Sequence, residues 1–172
     1  VAGFKILPSS FVWDYSMDGG GKQKDNIAYR GSTNNDGGHI LAGANGYYTI
    51  TLNPAKNTAT MVKYEGDVTD YGTIQIAGTF NDWTDTPMLP YNTEGVENHA
   101  WYYVMDVPAG ETAQFKFKIA DSWETSWGYG AEDGAINMYG KCDAGGKNIG
   151  LEEGKYVISF NDITGSFSIV KL

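Results

Sequence analysis

The sequence predicts an all-β protein made of immunoglobulin-like antiparallel β-sandwich modules in tandem, and three observations predict it. Of 172 residues, 23 are glycine and 14% are aromatic, while only 5 are proline, a composition of short strands and turns. No window sustains the 3.6-residue apolar period of a helix. Runs that alternate between apolar and polar residues end instead at loops bearing Asn and Gly, which is how hairpins read. With 41% hydrophobic and 19% charged residues, the chain can bury a core and does not read as disordered.

In chain order, residues 47–52 alternate, and residues 58–64 continue after the turn-forming Asn53-Pro54-Ala55-Lys56-Asn57. Strands follow at 73–79, 100–107 and 112–120, the last two joined by the tight turn Pro108-Ala109-Gly110. A second hairpin, 155–160 and 166–172, encloses Asn161-Asp162-Ile163-Thr164-Gly165. Trp101, inside the 100–107 strand, reads as a core residue.

The two hairpins repeat each other. NGYYTITLNPAKNTATMV (45–62) aligns with EGKYVISFNDITGSFSIV (153–170), matching Gly46 to Gly154, Tyr48 to Tyr156, Ile50 to Ile158, Asn53 to Asn161 and Val62 to Val170. The offset is constant, 154 − 46 = 108 residues. Gly37-Gly38 matches Gly145-Gly146 at the same offset, and Phe4-Lys5-Ile6 resembles the 115–119 stretch. Residues 73–172 have the size of one sandwich domain, about 100 residues. Residues 1–64 match only its later part, and nothing upstream corresponds to 73–107. The expected organisation is therefore an incomplete first module (1–64, the C-terminal part), a polar linker (65–72) and a complete second module (73–172). The chain opens on Val1 rather than Met, so a processed or excised piece of a longer protein is expected.

Charge and motif content narrow the function. A net charge of −9 repels phosphate backbones, so no nucleic-acid partner is expected. No stretch reaches the 18 or so apolar residues of a membrane span, and no signal segment opens the chain. The single Cys142 excludes an internal disulfide and any multi-cysteine metal site. Asn34-Asn35-Asp36-Gly37-Gly38 lacks the spaced carboxylates of a calcium loop and reads as a plain loop, so no metal and no cofactor are expected. His39 and His99 are isolated and receive no role. No nucleophile–base arrangement or phosphate-cradling loop is readable, and no catalytic residue is assigned. Asp82 and Asp121 are the one carboxylate pair worth testing as acid and base.

The informative segments are Gly78-Thr79-Phe80-Asn81-Asp82-Trp83, then Phe115-Lys116-Phe117-Lys118-Ile119-Ala120-Asp121-Ser122-Trp123, then Gly145-Gly146-Lys147-Asn148-Ile149. They offer two indoles in polar loops, an ammonium and an amide. A pyranose has an apolar C–H face that stacks on a flat aromatic and a rim of hydroxyls that needs donors and acceptors. Two Trp residues at an angle would cradle a curved glucan chain. Lys116 alternates with Phe115 and Phe117 and so points away from them. It reads either as a sugar ligand or as part of a solvated strand face, and Asn148 either as a sugar ligand or as a turn residue.

These motifs, together with Pro-Ala-Gly-Glu at 108–111, resemble the glycogen- and starch-binding modules, as on the β subunit of AMP-activated protein kinase. The Gly-Gly…Asn-Ile…Gly-x-Tyr-x-Ile ending and the tandem arrangement resemble more closely the SusE/SusF starch-binding proteins of the gut-bacterial cell surface. The resemblance implies that Trp83 and Trp123 are the stacking pair and that Lys116 and Asn148 contact sugar hydroxyls. Trp127 and Tyr129 have no clean equivalent in the glycogen-binding pattern; the surface starch-binding type has a second aromatic near this point, and the resemblance to it adds both to the expected sugar-binding residues. The first copy keeps Lys5, Trp13 and His39 but has nothing matching Trp83. The function so implied is non-catalytic capture of α-glucan (starch, glycogen or maltooligosaccharides) outside the cell or at a bacterial cell surface. Other starch-degrading or transport proteins there are implied as partners. The alternatives are a structural spacer or adhesion module without sugar binding, and a glycoside hydrolase.

Overall fold

The computed structural model describes residues 3–4, 27–29, 40–41, 46–53, 55, 58–91 and 99–172. The chain divides into two compact units, Val1–Asp67 and Val68–Leu172. Lys5, Trp13, His39 and the 34–38 loop lie outside the described residues. Among the described residues there is no α-helix, and no helix is long and apolar enough to cross a membrane.

The first unit contains β1 (Gly3–Phe4), β2 (Ile27–Tyr29), β3 (Ile40–Leu41), β4 (Tyr48–Asn53) and β5 (Thr58–Lys63). β1 pairs with β3, and β5 lies between β2 and β4, all antiparallel. The second unit contains β6 (Ile74–Gly78), β7 (Thr86–Pro87), β8 (Leu89–Pro90), β9 (Ala100–Val107), β10 (Ala113–Ile119) and β11 (Ser122–Gly128). It continues with β12 (Ala135–Ile136), β13 (Tyr139–Lys141), β14 (Asp143–Ala144), β15 (Ile149–Leu151), β16 (Gly154–Asn161) and β17 (Ser166–Lys171). One sheet runs β12-β15-β10-β11-β14, with β6 also on β10 and β7 beyond it; the other runs β13-β17-β16-β9-β8. The short strands β7, β8 and β12–β14 are too brief to show alternation in the sequence. β11, rich in Ser, Thr and Gly, shows none either.

The core lies between these two sheets. On β10, Ala113, Phe115 and Phe117 are buried, and on β16 Tyr156, Ile158 and Phe160 face them at the same two-residue spacing. The Phe117 and Phe160 rings stack across the layers, 4.2 Å apart and 15° from parallel. Trp101 is 3% exposed, as a core residue should be. Its Nε1–H donates to Asp162 Oδ2 at 3.0 Å, and Asp162 Oδ1 lies 2.7 Å from His99 Nδ1, so the buried carboxylate binds two partners.

The repeated hairpins share their register. Tyr48 faces Lys63 and Asn53 faces Thr58; Tyr156 faces Lys171 and Asn161 faces Ser166. Each of these positions is displaced by 108, as between Asn53 and Asn161 (161 − 53 = 108). Gly46 and Gly154 carry the matching φ values of 143° and 142°, a backbone conformation that favours glycine. In the second unit β16 is flanked by β17 and β9, whereas among the described residues β4 pairs with β5 alone.

Candidate functional site

The site begins where β6 ends. Gly78 lies against β10, where an added Cβ would come within 2.1 Å of the Gln114 carbonyl oxygen, so only glycine passes. The chain then makes one helical turn, Thr79–Asn81. Asn81 staples it: its Oδ1 accepts the Gly78 N–H (2.8 Å), and its Nδ2 donates to the Thr84 carbonyl (2.7 Å) and Thr86 Oγ1 (2.8 Å). Trp83 is drawn back until its N–H donates to the Gly78 carbonyl at 2.9 Å. This reversal puts Asp82 (φ 52°) and Trp83 (φ 59°) into the left-handed region, which a residue as bulky as Trp rarely occupies.

A second loop meets it. The β10–β11 register shifts between Lys118 and Ile119, an irregularity of the kind that re-aims side chains. Asp121 in the turn has φ 56°. Asp82, Trp83 and Asp121 are the three non-glycine residues with positive φ among the described residues, and all three border one aromatic pair. The Trp83 and Trp123 ring centroids are 6.0 Å apart with 57° between planes. Trp83 is half-buried and Trp123 is 46% exposed.

Charges underpin the pair. Lys118, buried at 2% exposure, places Nζ 5.0 Å from the Trp123 ring centroid, within cation–π range, and forms a hydrogen-bonded ion pair with Asp85 Oδ1. The other Asp85 oxygen accepts the Asp121 N–H at 2.7 Å. One carboxylate thereby ties the Trp83 loop to the Trp123 turn. The Lys118 hydrogen bond, and then the Asp121 N–H, hold the Asp85 carboxyl below its ordinary pKa.

Lys116 and Asn148 stand farther along the same outer face. Two residues along a strand advance about 7 Å, so Lys116 is one step from Lys118 and Gln114 two. Asn148 Nδ2 donates to Gln114 Oε1 (3.1 Å), and its N–H donates to Asp133 Oδ1 (2.9 Å). Burial pushes the Lys116 ammonium pKa down, nearby Lys147 adds to this, and Asp133 opposes it. The cation at the Trp pair is thus Lys118 rather than Lys116, and Asn148 is engaged in holding the 133–134 loop to the sheet.

Trp127 and Tyr129 are not brought to the indole pair. Trp127 faces Phe117 across β10–β11, on the core side, with its ring 5.4 Å from Phe160 and 5.2 Å from Tyr71. Tyr129 packs against Phe167, centroids 5.3 Å apart. Apolar packing claims both rings, which the polar surroundings of this stretch in sequence conceal. Sequence reasoning also missed Asn81, Asp85 and Lys118 as the supports of the pair. Lys118 had a signal, since it shares the outward alternation of Lys116; Asp85 had none.

Cys142 is buried, and burial, with Asp143 beside it, pushes its thiol pKa up to about 12, far from a nucleophilic thiolate. Among the described residues, no three His, Cys, Asp or Glu side chains are grouped to hold a metal ion.

No family model matches the chain, and no curated protein matches it. Among solved structures the chain is similar to SusF from Bacteroides thetaiotaomicron, at 17% sequence identity and a TM-score of 0.49, over 64% of this chain and 26% of that one. So distant a likeness does not carry function.

Proposed function

We propose that this protein is a non-catalytic carbohydrate-binding protein that captures α-glucan on the Trp83–Trp123 pair. One observation carries the reading: two indoles, set 57° apart at the outer face of a sheet, are held there by the ion pair of buried Lys118 and by three strained backbone positions. Strain of this kind costs about 1–3 kcal/mol per residue and gathers where a side chain must be presented in one orientation. Two tilted aromatic planes fit the curvature of an α-glucan better than a flat chain. Lys116 and Asn148 line the continuation of this face, where sugar hydroxyls would meet an ammonium and an amide. The resemblance of the Asn-Asp-Trp and Asp-Ser-Trp segments to starch-binding modules supports the same ligand.

On this reading the chain follows one module plan twice, with 1–64 an incomplete copy and 73–172 a whole one. The protein works at a bacterial cell surface or secreted from it, keeping glucan near enzymes or transporters borne by other chains. Retardation in a native gel containing amylopectin, and not in one containing a β-glucan, is the expected result. Equal mobility in both gels and in plain acrylamide would favour a spacer module instead. Release of reducing sugar from starch, lost in Asp82→Ala/Asp121→Ala, would make it a hydrolase.

A further inference from the structure

The other sheet carries an aromatic-walled trough on its own outer face, far in topology from the indole pair. Register aligns one row of outward residues across four strands: Tyr102 on β9 faces Ser159 on β16, Ser159 faces Ser168 on β17, and Ser168 faces Tyr139 on β13. Three strand spacings separate the two tyrosines, about 14 Å, the span of a short oligosaccharide. The small serines between them form a floor lower than its walls. Tyr139 is 78% exposed, and Tyr91, 56% exposed, pairs with Tyr102 at a centroid distance of 4.9 Å and 43° between planes. The Tyr91 hydroxyl lies 2.6 Å from Ser159 Oγ, which fixes the wall to the floor. A recess of about 240 Å³ opens beside it, lined in part by Tyr91, Ser159, Asn161, Ser166 and Ser168.

The neighbouring rows grade the polarity of this face. On one side Val104, Val157 and Val170 stand in register; on the other, Asn161, Ser166 and Lys141 do. Solvent-facing strand positions are ordinarily polar and often charged, yet the Tyr102–Tyr139 row and the valine row contain no charge, in a chain whose net charge is −9. Along those two rows an ionic partner would find nothing to pair with, the charge of Lys141 standing in the Asn161–Ser166 row. Aromatic walls, aliphatic flank and a hydroxyl floor match the C–H faces and hydroxyl rims of pyranoses. We infer that the Tyr102–Ser159–Ser168–Tyr139 trough is a second binding site, for a neutral oligosaccharide, on the sheet opposite the indole pair.

The inference stands apart from the proposed function, because the two sites share no residue. Its test uses the full chain carrying Trp83→Ala/Trp123→Ala, isotope-labelled and titrated separately with maltoheptaose and cellohexaose. Saturable shifts of the Tyr102, Ser159, Ser168 and Tyr139 amides with at least one of the two sugars are expected. Adding Tyr102→Ala should weaken that binding at least tenfold, and adding Tyr139→Ala, at an exposed position that spares the fold, should weaken it about fivefold. Unmoved amides with both sugars at millimolar concentrations would overturn the second site. So would shifts of those amides that depend on protein concentration alone, which would make the face a contact between copies. Failure of the first site shows itself separately, as indole N–H signals of the parent protein that ignore maltoheptaose.

Discussion

Asp85 is the residue on which the orientation of the indole pair turns, because it belongs to the Trp83 loop and both its oxygens bind the β10–β11 hairpin that carries Trp123, one through Lys118 and one through the Asp121 N–H. Since its carboxyl pKa is depressed in the fold, the unfolded chain takes up the proton first as pH drops. The stabilisation is complete above the ordinary value of 3.8 and is lost as pH falls below it through the folded-state value. Glucan affinity should therefore be flat between about pH 5 and 8 and decline only as pH falls below 3.8. Asp85→Asn should bind more weakly at neutral pH and show no such decline, as affinity electrophoresis across pH would reveal. Profiles of the same shape for the parent and for Asp85→Asn would assign the acid response to other carboxylates. At the buried carboxylate of the core, Asp162→Ala removes the acceptor of the Trp101 indole N–H and the partner of His99 Nδ1, and urea unfolding should register a loss of about 2–4 kcal/mol.

Among the elements, the long strands were legible because their side chains alternate. Phe115, Phe117, Ile158 and Phe160 announce a buried face, and their neighbours, Lys118 apart, a partly exposed one. The hairpins were legible twice over, since one register recurs at a fixed offset. What stayed hidden depends on turns and partners. The register shift ahead of Trp123 and the left-handed backbone at Asp82 and Trp83 go with hydrogen bonds of Asn81 and Asp85, which no periodicity encodes. Trp127 shows the reverse limit: its neighbours Ser126 and Gly128 look like a loop, but pairing with Phe117 turns its ring to the core side. Gly78 is the element-scale test. Its backbone has no positive φ, so Gly78→Ala acts only through the clash with the Gln114 carbonyl, forcing β6 and β10 apart at the start of the Trp83 loop. A loss of about 1–3 kcal/mol in stability is expected on denaturant titration, with glucan affinity falling beyond what unfolding accounts for.

At the scale of the whole molecule, the net charge of −9 and the aromatic platform select in the same direction: an anionic ligand is repelled, and a neutral one does not feel the charge. Raising the salt from about 0.05 to 0.5 M shortens the screening length several-fold, yet affinity for amylopectin should change less than twofold. A tenfold change would point to a charged ligand. Affinity at one shallow site is modest because little area is buried, so retention on a polysaccharide depends on repeated engagement. The central claim is that Trp83 and Trp123 together form the platform. The most direct measurement is calorimetric titration of maltoheptaose into the parent protein and into Trp83→Ala, with the thermal unfolding of both recorded alongside. Stacking on an aromatic platform is worth about 1–3 kcal/mol on the scale measured for nucleobases, so Trp83→Ala should bind about 5- to 150-fold more weakly with its unfolding temperature little changed. Parental affinity in Trp83→Ala, with the fold intact, would contradict the account.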